Sequence, residues 1–399
     1  MKAALLAVPL AVAVLAVGIG VIWSVSKAPV HKDAASVSST AGIAPTGHYT
    51  GAAEDARRLA RALVARDDLP GLSVAVAVDG EIAWAEGFGW ADVDSRTPLT
   101  PRTRFRLGAL SKPLTAMAAA RLRDQGRLDL DAPVQRYVRD YPDKAWPLTA
   151  RQLLGDVAGV HRIRGDNNDA MPTTHCDRLD EAVALLADEP LLFEPGTQHR
   201  YSTWGWVLVS AAVQGAAGQP FGRFMDREVF QPLGMTRTVV EETESLVDVA
   251  HGPGGGPDYS CLAGGGAFLS TPTDLVRLGS AMLKPGFLRA DTIADFQRPT
   301  RLASGASTTY ALGWTVASTP LAGAPVRVVS HRGSPAGGTV SLLAFPDLGL
   351  AVAIAANVAD AKGVGPLALQ IAEAFARQHK KPIEQTRRRS PPSNGPEDL

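Results

Sequence analysis

A hydroxyl and an amine three residues apart on a helix share one face, and a buried amine there can take the hydroxyl's proton to make a nucleophile. The chain offers that spacing once with the hydroxyl present and once with the hydroxyl replaced. Ser24-Val25-Ser26-Lys27 matches it literally. It follows an apolar run and has no strand pattern before it and no helix pattern after it, so it reads as a coincidence of composition. Ala109-Leu110-Ser111-Lys112 has the better setting. It opens a helical pattern that reaches Gln125, with Leu110, Leu114, Met117 and Leu122 broadly on one face and Pro113 in the first turn, where proline is tolerated. The position that should carry the hydroxyl is Ala109, and a methyl group has no lone pair to attack a carbonyl. Ser111 does not take its place, because neighbouring helical residues point about 100° apart. No Gly-x-Ser-x-Gly elbow is present.

The elements that must position this helix start are legible on either side of it. Glu54 to Arg66 is an amphipathic helix, with Ala56, Leu59 and Leu63 on one face. Leu72–Val78 and Ile82–Phe88 are strand-like runs around the turn signal Asp79-Gly80. From about Asp129 to Leu288 helical patterns alternate with Gly/Pro loops. Strands return at Tyr310–Val316, Val326–Ser330, Thr339–Phe345 and Leu350–Ile354, and a helix from about Pro366 to His379 follows. A two-stranded hairpin alone is marginal, so the early and late strands must share a sheet. The expected fold is α+β: an antiparallel sheet flanked by terminal helices, with a large all-α insertion and a cleft between the two parts. The folded domain is expected over residues 52–378, its sheet part at about 52–108 and 305–378 and its helical part at about 109–304.

The ends read differently. Ala3 to Trp23 is an uncharged apolar run, long enough at 1.5 Å per residue to span a bilayer. It reads as a membrane anchor or a cleaved signal, and either places the bulk of the chain outside the cytoplasm, in a periplasm-like space. Residues 24–51, rich in Ser, Ala, Gly and Pro, read as a flexible tether, and residues 379–399 as a disordered tail. Basic and acidic residues number 40 each, which argues against a nucleic-acid partner. Cys176 and Cys261 lack metal-ligand spacing, so no metal site is expected; they read as two separate thiols or as one disulfide. Gly254-Gly255-Gly256 lacks the strand–helix context of a phosphate loop, and no organic cofactor is indicated.

Several further motifs recur in a fixed order: Phe105–Met117, Gln125-Gly-Arg-Leu-Asp-Leu-Asp131, Phe193-Glu-Pro-Gly-Thr197, Tyr201-Ser202-Thr203, Gly264–Thr271 and His331-Arg332-Gly333. Together they resemble the serine β-lactamase and D-alanyl-D-alanine carboxypeptidase superfamily, in its class C-like branch, over about residues 52–378. The resemblance implies that Ala109 stands at the nucleophile position, Lys112 at the base, Tyr201 at the proton-shuttling tyrosine and His331 at the strand-borne electrostatic residue. It implies substrate contacts from Thr203, Arg332 and Gly333. Thr203 stands where Asn is usual, Arg332 replaces a small hydroxyl residue but could hold a carboxylate bidentately, and Asp156 stands where relatives carry His. Because Arg332 and Asp156 also depart from the pattern, Ala109 reads as native. The expected function is therefore a catalytically impaired family member that binds a small-molecule or peptide ligand with an acyl group. The alternatives are an active serine hydrolase seen as a Ser→Ala variant and a self-assembling scaffold. No oligomeric state follows from the sequence.

Overall fold

The computed structural model describes residues 29–161, 174–241, 248–250 and 257–388. The apolar run 3–23, Ser24–Lys27 and Gly254–Gly256 lie outside the described residues. Strands β1 (Ser39–Ile43), β2 (Gly71–Val78), β3 (Glu81–Asp92), β4 (Thr97–Pro98), β5 (Phe105–Arg106), β6 (Val239–Val240), β7 (Phe268–Ser270), β8 (Thr315–Leu321), β9 (Ala324–Gly333), β10 (Thr339–Phe345) and β11 (Leu350–Ala356) form two sheets. The large one has the order β1-β3-β2-β11-β10-β9-β8, with β4 on β3, and is antiparallel throughout. The small one, β5-β7-β6, sits in the helical part.

The central strands β2 and β11 are buried along their whole length because both faces of the sheet are covered. Side-chain size alternates with the pleat. Val74, Val76, Val352 and Ile354 face the terminal helices α1 (Thr50–Arg66) and α9 (Val364–Arg388), where they meet Val64, Ile371 and Phe375. Ala75, Ala77, Ala351, Ala353 and Ala355 face the other way. Their small volume lets helix α7 (Pro272–Ala281) lie close: a Cβ on Gly279 would stand 3.3 Å from that of Ala351. Fully burying a side chain of the Val or Phe kind contributes about 1.5–3 kcal/mol, so the terminal-helix layer is a main source of stability.

On the α7 side lie α2 (Ser111–Asp124), α3 (Ala150–Leu154), α4 (Leu179–Ala187), α5 (Thr203–Ala217), α6 (Phe221–Met225) and α8 (Ala290–Phe296). Helix α5 is apolar nearly all round and is the buried axis of this part; Ser202 caps its start by accepting the Gly205 N–H at 3.2 Å.

Three expectations need correction. Part of the segment read as a tether, Ser39–Ile43, is the edge strand β1, paired with β3. Four of its five residues are small and all are intermediate or exposed, so no period-2 burial marks it. The strand expected at Tyr310–Val316 starts only at Thr315. Before it the chain turns tightly, with the Ala311 N–H on the Trp314 carbonyl at 2.7 Å and Tyr310 bridging to Thr315. The C-terminal helix, expected to give way to a disordered tail at residue 379, runs on to Arg388.

Candidate functional site

The site is built where the helical part meets the end of β9. A tight 3-10 turn, Gly108–Leu110, leads into α2. It is pinned from both sides: the Leu107 N–H donates to the Phe268 carbonyl at 2.9 Å, and β9 presses against it at Gly333. A Cβ at Gly333 would lie 1.9 Å from the Leu107 carbonyl oxygen, so only glycine lets the strand approach this closely. Ala109 is half-buried and lines the cleft. Ser111 is fully buried and turned inward, its Oγ accepting the Phe268 N–H at 3.3 Å.

One turn along, Lys112 is fully buried. Its Nζ donates to Thr203 Oγ1 at 3.2 Å and to the Gly265 carbonyl at 3.1 Å, and lies 4.5 Å from the centroid of the Tyr201 ring. Among the described residues no carboxylate pairs with it. Two neutral oxygens and an aromatic ring surround its amine, the last in cation–π geometry. Tyr201, Thr203 and Gly265 are each placed by local structure. Tyr201 precedes the cap of α5 by one residue. The segment around it is held by Asp156, whose carbonyl accepts the Arg200 N–H at 2.8 Å and whose Oδ1 accepts the Ser202 N–H at 3.4 Å. Asp156 adopts φ 53, a left-handed conformation that aspartate tolerates better than most residues. It is thus a structural residue that holds the Tyr201 segment in place.

Gly265 ends the 3-10 segment Ser260–Gly265, which wedges between α2 and α5. Thr115 Oγ1 donates to the Gly264 carbonyl at 2.9 Å, and a Cβ on Gly264 would lie 2.1 Å from that oxygen. The same segment is tied to the residues before α4 by the Cys176–Cys261 disulfide, which resolves the two readings of the cysteines. Its Tyr259 closes over the cleft, accepting the Ala336 N–H at 2.9 Å on its hydroxyl.

On the strand side, His331 is buried at the end of β9. Its Nδ1 lies 2.8 Å from the Arg332 carbonyl, which can only accept, so Nδ1 carries the proton. Its Nε2 therefore accepts from the Tyr310 hydroxyl at 3.2 Å. Burial, with the nearby Lys112 charge as a second cause, pushes the His331 pKa down to about 3, so the imidazole is neutral at physiological pH. Tyr310, wholly enclosed, is pushed well above its ordinary value and keeps its proton. Arg332, the next residue, is exposed and is not part of the described cleft wall. The strand pleat turns it away from the side His331 faces.

The structure thus places Ala109, Tyr201 and Thr203 on the wall of one cleft of ≈ 400 Å³, keeps Lys112 and His331 buried off that wall with Lys112 bonded to Thr203, gives Gly333 a packing role, and leaves Arg332 outside. Sequence reasoning did not find the Gly265 carbonyl, the Tyr259 wall or the Tyr310 partner of His331. Among the described residues no group of His, Cys, Asp and Glu could hold a metal.

Comparison with known proteins agrees with this geometry. The family model described as Beta-lactamase matches residues 56–375. The serine beta-lactamase-like protein LACTB, mitochondrial, of Mus musculus is 27% identical, with 85% of this chain and 85% of that protein covered. Penicillin-binding protein 4* of Bacillus subtilis (strain 168) is 26% identical over 69% of this chain and 65% of its own length. Among solved structures, "EstCE1, a hydrolase with promiscuous acyltransferase activity" superposes with a TM-score of 0.69 at 23% identity, covering 82% of this chain and 98% of that one; the likeness is one of fold. The antiparallel sheet, the helical part and the family match together show that this chain belongs to the beta-lactamase family of serine hydrolases and penicillin-binding-protein-like proteins.

Proposed function

We propose that the chain is a family member whose nucleophile position is occupied by Ala109, and that its cleft binds acyl esters or acyl peptides without forming an acyl-enzyme. The observation that carries this reading is the pairing of Ala109, on the cleft wall, with the buried Lys112 one helical turn away. A lysine amine in that position could accept a proton from a residue-109 hydroxyl, and Tyr201 beside it could pass a proton to a leaving group. The methyl group supplies neither the proton nor the attacking atom. In a comparable catalytic set, loss of the nucleophile costs on the order of 10⁶ in rate, so binding is the activity that remains.

The reading extends to location. A disulfide persists in an oxidising compartment, and Cys176–Cys261 supports export of the domain. The apolar residues 3–23 would tether it to a membrane. A reporter phosphatase fused after Leu399, active only outside the cytoplasm, would be inactive if this assignment is wrong.

The binding claim is tested on the chain as it stands. Incubation with a fluorophosphonate and a fluorescent penicillin is expected to leave the intact mass unchanged, while a neutral acyl ester raises the unfolding midpoint. A covalent adduct, or no stabilisation by any acyl ligand, would refute it.

A further inference from the structure

We infer that this cleft accepts acyl esters and amides that carry no charge beside the carbonyl, and turns away free carboxylates. The inference rests on the cleft being an acyl-ligand site, and it names the chemical class that site takes. Lys112, His331 and Arg332 are all absent from the described wall, as is Arg106, which pairs with Glu241 at 2.7 Å. Lys112 lies behind the wall rather than in it: Tyr201 and Thr203 line the cleft, while the Lys112 amine beneath them is directed to Thr203 Oγ1 and the Gly265 carbonyl. His331 has both ring nitrogens engaged, one on the Arg332 carbonyl and one on the Tyr310 hydroxyl, so no N–H remains for an anion. Arg332, the residue best suited to hold a carboxylate, is exposed outside the described wall.

What remains is a wall of Tyr201, Trp204, Pro257, Tyr259, Leu262 and Pro335, and none of the described lining residues is charged. A carboxylate entering there would lose hydration without a cationic partner on the described wall, and a buried charge with no direct partner is strongly unfavourable. A neutral ester gives up little hydration, and its acyl arm gains by covering apolar surface. The replacement at 109 acts in the same direction, putting a methyl group on the wall in place of a hydroxyl.

The test is calorimetric titration of the full chain with N-acetylphenylalanine methyl ester and, separately, N-acetylphenylalanine at the same ionic strength. The ester is expected to bind at least about tenfold more tightly. Equal affinity, or tighter binding of the acid, overturns the inference and leaves the acyl-ligand reading intact. No binding of either compound removes both. His331→Lys places an ammonium where the neutral imidazole stands and is expected to narrow the ester-to-acid ratio by about tenfold. An unchanged ratio in that variant would show that charge is not what discriminates, and would also overturn the inference.

Discussion

The two sides of the cleft are built differently. On the helix side Lys112 is buried and held by Thr203 and Gly265, and Tyr201 lies against its amine; on the proposed reading this frame is whole and only an oxygen atom at residue 109 is wanting. On the strand side no cation faces the cavity. His331 is a neutral, doubly hydrogen-bonded imidazole, and Arg332 is exposed outside the described wall. On the proposed reading the frame outlasts its nucleophile because the buried amine and its acceptors must stay matched for the fold's own sake. An unpaired Gly265 carbonyl or a displaced ammonium would destabilise the core. Nothing comparable preserves a charge on a strand end.

That contrast can be broken experimentally. The largest effect is expected on the helix side, where the disulfide of sequence separation 85 holds the segment bearing Gly265. Removing it in a Cys176→Ser, Cys261→Ser double variant is expected to lower stability by about 4 kcal/mol. A shift near zero in denaturant unfolding would mean that hydrogen bonds alone hold the segment. Next is the seam where the two sides meet: Gly333→Val drives a side chain into the Leu107 carbonyl and is expected to lower stability by about 3 kcal/mol. Tolerance of valine there would show that β9 and the 108–110 turn can separate.

At neutral pH the remaining tests are milder, and they sharpen the strand side. The His331 pKa in the folded chain, about 3, lies below its ordinary value of 6.5. The unfolded chain therefore takes up this proton first, and the contribution to stability is lost as pH falls from about 6.5 toward 3. The slope is up to about 1.4 kcal/mol per pH unit, and the loss levels off below pH 3. His331→Gln should remove that part of the slope, so parallel stability profiles for the two proteins over this range would contradict a neutral buried imidazole. Last, Tyr310→Phe removes the donor to Nε2. It is expected to lower stability by about 1 kcal/mol and to shift the Nε2 resonance, which loses its hydrogen bond while Nδ1 keeps its proton on the Arg332 carbonyl. Unchanged shifts would deny Tyr310 its positioning role.

Much of this was legible in the residues, and what was not has identifiable causes. The helix start at Lys112 and the strands β2, β3, β10 and β11 follow from spacing and apolar runs long enough to outweigh local noise. The edge strand Ser39–Ile43 buries too little to leave a pattern, and its pairing comes from backbone groups that every residue carries. Tyr310–Trp314 has strand-like composition but turns back on itself, and that turn is what aims Tyr310 at His331. The acceptor on Lys112, a Gly265 carbonyl, has no side-chain signature at all. Cysteine pairing is a tertiary fact, so Cys176 and Cys261 could be counted but not joined. The exposure of Arg332 depends on which face of β9 is buried, and the phase of a strand end is the weakest part of a pattern argument.

The most direct test of the central claim compares the chain as it stands with Ala109→Ser, using a nitrophenyl ester followed by absorbance and a fluorophosphonate followed by intact mass. The account predicts no turnover and no adduct for the alanine form. It predicts one adduct and measurable hydrolysis for the serine form, because Lys112, Tyr201 and Thr203 already surround that position. Turnover by the alanine form would contradict the account outright, and an inert serine form would contradict the claim that the helix-side frame is whole.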